Sequence, residues 1–143
     1  MCYALSKPLI AVPTLLSLAE GIKQKVQSEK ASFMPVMDAR RMDIYTAVFD
    51  MAGNEVLKTT FATVNEELEK SVVAFGDVYI GGNATHKCRD VFKSPDIHFV
   101  EDIDGDSRFM ANISEQKFRA GAFESVAYFE SFYLKDFLPK KAI

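Results

Sequence analysis

The chain has no tryptophan, only two cysteines, and no apolar run of the roughly 18–20 residues that a bilayer-spanning helix needs. The mildly apolar residues 1–12 lack the basic flank and small-residue cleavage site of a secretory signal. Cys2 and Cys88 are too few and too ill-spaced for a disulfide scaffold, which fits a reducing cytoplasm. A basic surplus is missing as well: 17 Lys and Arg against 20 Asp and Glu leave a net charge of −3 at pH 7, with no block of like charge. Proteins that grip nucleic acid through their own surface carry a basic footprint, so direct RNA binding is not advertised. What is present suits one ordinary globular domain: 143 residues, 48% hydrophobic and 26% charged, are enough for a single sizeable core.

Hydrophobic spacing divides the chain into short elements. Residues 7–12 read as a short buried strand ending at Pro13. Thr14 is placed to cap a helix on which Leu15, Leu18, Ala19, Ile22 and Val26 share one face, with Gly21 interrupting the pattern. From Pro35 the period becomes two. Strands are expected over residues 36–38, 44–51 and 56–63, joined by turns, as an antiparallel meander. Tyr45, Ala47, Phe49 and Met51 should share one face of the second strand, and Ile44, Thr46, Val48 and Asp50 the other. Thr63 to Glu66 matches a capping box, predicting a helix over 64–75. A buried strand at 78–80, a helix over 85–92, a short strand at 97–100 and a helix from about 107 to 119–121 follow. The aromatic tail holds Phe118, Phe123, Tyr128, Phe129, Phe132, Tyr133 and Phe137, a density that reads as core cover with part of it as interface. Three meander strands and then alternating helices and strands form an α/β order, that of a ribonuclease H-like half-domain, which actin-like ATPases and sugar kinases share.

Candidate chemistry is sparse. Gly81-Gly82-Asn83, between a strand and a helix, is a weak phosphate-loop candidate. It matches neither a dinucleotide fingerprint nor a Walker loop, and a tight turn explains it more simply. Asp102, Asp104 and Asp106 lack the glycine and glutamate positions of a calcium loop and read as a solvated turn before a helix. His86, Cys88 and His98 complete no zinc set and no supported nucleophile pair. Asp38, Arg40, Arg41 and Asp43 sit on a hairpin, as a binding constellation or as a salt-bridged turn in which arginine forks pair with the aspartates.

Three segments also carry a resemblance. Residues 6–15 with Ala19-Glu20-Gly21, the hairpin Met37-Asp38-Ala39-Arg40-Arg41-Met42-Asp43-Ile44-Tyr45, and the closing Phe132-Tyr133-Leu134-Lys135-Asp136-Phe137 resemble segments of the TsaB family, also called YeaZ. The last departs from the family at Ser131 and Lys135, where proline and arginine are usual. The resemblance implies a non-catalytic scaffold of the complex that makes threonylcarbamoyladenosine in tRNA. Its partners would be a TsaD-like transferase, a TsaE-like ATPase and possible second copies of itself, with tRNA met only through the complex. No cofactor, metal or membrane is implied, and the old glycoprotease label of the family implies a peptidase activity that is not expected here. Asp38, Arg40, Arg41, Tyr45, Tyr133 and Lys135 become family-motif or partner-contact candidates. The alternative is an enzyme of the same superfamily, an ATPase, phosphotransferase or glycopeptidase, with Asp38 as base or metal ligand. Family members carry a further strand and a glycine-rich segment before the equivalent of Cys2. Residues 1–32 are therefore expected to be the remnant of an N-terminal lobe, and 33–143 the C-terminal ribonuclease H-like lobe with its aromatic tail. A chain without that lobe is expected neither to bind ATP nor to assemble normally with the transferase.

Overall fold

The computed structural model describes residues 1–132 and Leu134. Its centre is a five-stranded sheet built from β1 (Ser32–Asp38), β2 (Asp43–Phe49), β3 (Glu55–Thr63), β4 (Val78–Gly81) and β5 (Ile97–Val100), in the order β3-β2-β1-β4-β5. The first three strands form the expected antiparallel meander, while β4 runs parallel to β1 and β5 parallel to β4. The β2–β3 turn is tied by Asp50, whose carboxylate accepts from the amides of Ala52 and Asn54 and from the Asn54 side chain, with Gly53 at φ 84.

β1 starts four residues earlier than the spacing predicts, because residues 32–35 are buried in the middle of the sheet. Pro35 masks the strand signal, since proline cannot donate to a ladder and is rare in central strands. The buried Thr46 hydroxyl donates to the Pro35 carbonyl at 2.8 Å and keeps that acceptor satisfied.

The period-two alternation sends side chains into two cores. Met34, Val36, Ile44 and Val48 pack with residues of or beside α2 (Glu66–Val73) and α3 (Thr85–Val91), including Val64, Val72, Ala84 and Cys88. Phe33, Ala47 and Phe49 pack with Leu15, Leu18, Ala19 and Ile22 of α1 (Thr14–Lys25), on the opposite face. This is the face assignment that the alternation predicts for β2. Gly21 has a packing reason: a β-carbon there would sit 2.5 Å from the Phe109 ring. That ring belongs to the 3₁₀ turn Ser107–Met110, which leads into α4 (Ala111–Arg119).

Four expectations are corrected. Residues 7–12 are no sheet strand; within them Leu9 makes one isolated bridge, to Glu124, outside the five-stranded sheet. Thr14 makes no capping bond and is the first helical residue after Pro13. The cap of α2 is Asn65, whose side chain accepts from the Leu68 amide at 2.9 Å, while Thr63 remains in β3. The described part of the tail is not core cover: Tyr128 is 85% and Phe132 80% exposed, with both faces of the sheet already clothed by helices, while Tyr133 and Phe137 lie outside the described residues.

Candidate functional site

β1 and β4 are parallel, and both end beside the β1–β2 hairpin. In α/β sheets the carboxyl ends of parallel strands are where ligands and reactive groups gather. The hairpin therefore has the right address. Its chemistry begins with Asp38, the last residue of β1.

Asp38 Oδ1 accepts from the Arg40 amide at 2.7 Å, closing a local turn, and Oδ2 lies 3.1 Å from the Lys87 ammonium. The Arg40 amide first, and the Lys87 ammonium second, hold the Asp38 carboxyl below its ordinary range. Lys87 reaches up from α3 with its side chain only 7% exposed and also donates to the Asp43 carbonyl at 3.0 Å. One buried cation thus clips both strand ends of the hairpin. The other acid, Asp43, accepts from the Thr63 hydroxyl at 2.7 Å. Both aspartates are committed, and neither to an arginine side chain. The expected arginine–aspartate turn is instead an aspartate–lysine clip.

Arg40 and Arg41 occupy the tip with φ of 75° and 45°, and both are exposed. The loop closes through its backbone: the Ala39 amide donates to Asp43 and the Asp43 amide to Arg40. Among the described residues no ion pair or side-chain hydrogen bond engages either guanidinium. Tyr45 is separated from this group. Its ring lies 5.6 Å from that of Phe61, and it lines a cleft of about 810 Å³ with Pro13, Leu15, Met37, Phe129 and Phe132. Tyr133 and Lys135 lie outside the described residues.

The Gly81-Gly82-Asn83 segment is tightly packed. A β-carbon at Gly81 would meet Ile22 and Ile103 at 2.9 Å, and one at Gly82, whose φ is 131°, would sit 2.2 Å from the Val36 carbonyl oxygen. Only glycine fits that approach of β4 to β1. Asn83 Oδ1 accepts from the Asp38 amide at 2.8 Å. Packing and this one bond account for all three residues.

The remaining candidates are engaged elsewhere. Burial pushes the Cys88 thiol up to about 12, which leaves it without thiolate character near neutral pH. His98 pairs with Asp77 at 3.2 Å and stacks on Tyr79. Asp106 caps the 3₁₀ turn through the Arg108 amide, and its carboxylate also holds the Arg108 guanidinium. Among the described residues no three His, Cys, Asp or Glu side chains converge on a point where a metal could sit.

The residue that sequence reasoning missed is Lys87. A lysine in the run Thr85-His86-Lys87-Cys88 reads as solvated. The available signal was position: it lies three residues after Ala84 and four before Val91, on the apolar face of α3.

No family model matches the chain, and no curated protein matches it in sequence. Solved structures do match. One, described as an uncharacterized protein with similarity to peptidase YeaZ from Pseudomonas aeruginosa, aligns over 94% of this chain with a TM-score of 0.74 at 16% identity. Another, YeaZ from Pseudomonas aeruginosa, aligns over 85% with a TM-score of 0.64, also at 16% identity. The chain spans 62% and 57% of the lengths of those two proteins. At such identity the likeness establishes a shared fold, and the proteins that share it carry the YeaZ name already met in the sequence motifs.

Proposed function

We propose that the chain is a TsaB-type scaffold subunit of the tRNA threonylcarbamoyladenosine machinery, cytoplasmic and non-catalytic, with a ribonuclease H-like, actin-related fold. It would support a TsaD-like transferase alongside a TsaE-like ATPase, and meet tRNA only through them. The observation that carries this reading is the agreement of two likenesses: the hairpin and flanking motifs in the sequence, and the backbone match to YeaZ over 85% of the chain.

The geometry of the hairpin is in keeping with a supporting role. A general base must be free to take a proton from a bound reactant. Both Asp38 oxygens are already held, by the Arg40 amide and by Lys87, and its lowered pKa makes it a poor base near neutral pH. The enzyme reading keeps one observation in its favour, the position of Asp38 at the carboxyl end of β1.

The test is to deplete the protein in its source organism and quantify tRNA nucleosides by mass spectrometry. Threonylcarbamoyladenosine is expected to fall and to return on re-expression. An unchanged level would remove the proposal.

A further inference from the structure

The tip of the β1–β2 hairpin breaks the rules of turn chemistry. Positions with φ between +20° and +160° ordinarily take glycine, asparagine or aspartate, which bear the left-handed conformation with least strain. Here two consecutive such positions, at φ 75° and 45°, carry arginines. Non-glycine residues held in this region cluster where a segment contacts something else. The hairpin does not need the arginines for closure, because the backbone bonds of Ala39, Arg40 and Asp43, the Asp38 carboxylate and the Lys87 clip supply it.

The rest of the molecule sharpens the contrast. The three other arginines each have an acid: Arg89 has Glu101, Arg108 has Asp106 and Arg119 has Glu115. Arg40 and Arg41 have none among the described residues, although Asp38 and Asp43 stand beside them in sequence. Lys87 and Thr63 have taken those two acids. Two exposed, adjacent guanidiniums thus stand without an acid among the described residues, on a clipped loop.

We propose that Arg40 and Arg41 form a docking fork for the carboxylates of an acidic protein partner. Each guanidinium matches a carboxylate bidentately, and arginine is among the residues that dominate interface energetics. A carboxylate partner is favoured over RNA by the surroundings: a chain of net charge −3, with Asp38 and Asp43 flanking the fork and no block of basic residues, offers no extended basic track for a polyphosphate backbone. This inference goes beyond the scaffold reading and does not depend on it.

The test titrates fluorescein-labelled hexaglutamate, and separately hexauridylate, into the full chain at low salt. Hexaglutamate is expected to bind. The double variant Arg40→Asn/Arg41→Gly carries the Asn-Gly pair that positive-φ hairpins prefer. It is expected to lose at least about tenfold in peptide affinity while melting at an unchanged or higher temperature. Arg40→Lys/Arg41→Lys keeps the charge but not the forks, and should bind several-fold more weakly than the native chain. Three results would each overturn the proposal: unchanged peptide affinity in Arg40→Asn/Arg41→Gly, a lowered melting temperature in that variant, or hexauridylate binding tighter than hexaglutamate through the same two arginines.

Discussion

Lys87 has its ammonium group buried between Asp38 and the Asp43 carbonyl, and it ties the hairpin to α3 alongside the backbone bonds that close the loop. Replacing it with methionine keeps the volume and the apolar contacts but removes both bonds. Lys87→Met should cost roughly 1–3 kcal/mol in urea unfolding, the range for losing hydrogen bonds to a charged group in a mostly buried setting. Three carboxyls, Asp38, Asp50 and Asp106, are held below their ordinary 3.8 by hydrogen bonds to nearby amides and side chains. A carboxyl that binds its proton less readily when folded adds stability that is complete above the unfolded pKa. That stability is lost as pH falls through the folded value. For Asp50→Asn, the deficit in stability should therefore be largest at neutral pH and shrink steadily below about pH 4, as followed by circular dichroism. At this scale the sequence was least informative. It displayed Asp38, Arg40, Arg41 and Asp43, but charge pairing within the hairpin was only the shortest guess. The true partner comes from α3, some 44 residues after Asp43, and no local rule could have supplied it.

Among the elements, the meander and the helix that follows it were legible, because alternation of apolar residues and turn chemistry are local signals. Where the reading failed, a second local signal competed. At the start of α2 the sequence shows a capping-box pattern from Thr63 to Glu66, whereas the structure caps the helix with Asn65 two residues later. The structure keeps Thr63 in β3, where its backbone pairs with Asp43 and its hydroxyl bonds the Asp43 carboxylate. Asn65→Ala should consequently cost about 1 kcal/mol of stability, as N-cap losses do. Thr63→Ala should leave the helix content seen by far-ultraviolet circular dichroism unchanged. In β1, Pro35 hid a seven-residue strand behind a residue that usually marks an edge. The buried Thr46 hydroxyl that compensates for it could not be recognised without the strand pairing.

For the whole molecule, the order of elements was enough to expect a three-strand antiparallel meander followed by alternating helices and strands, and the observed sheet adds that the last two strands run parallel to β1. The aromatic tail was misjudged because its composition carries no information about whether a free face remains for it to cover. Helices cover both faces of the sheet, so the described rings lie at the surface, and Phe129 and Phe132 line a cleft instead. Asp38 sits where a catalytic carboxylate could sit, at the end of β1, but both its oxygens are engaged in holding the hairpin, as the proposed supporting role requires. That role is tested most directly by making Asp38→Asn the sole copy in the source organism and measuring threonylcarbamoyladenosine in tRNA together with the amount of the protein. The account predicts that the nucleoside falls no further than the abundance of the protein does. A variant present at normal abundance with the nucleoside lost by orders of magnitude would contradict it.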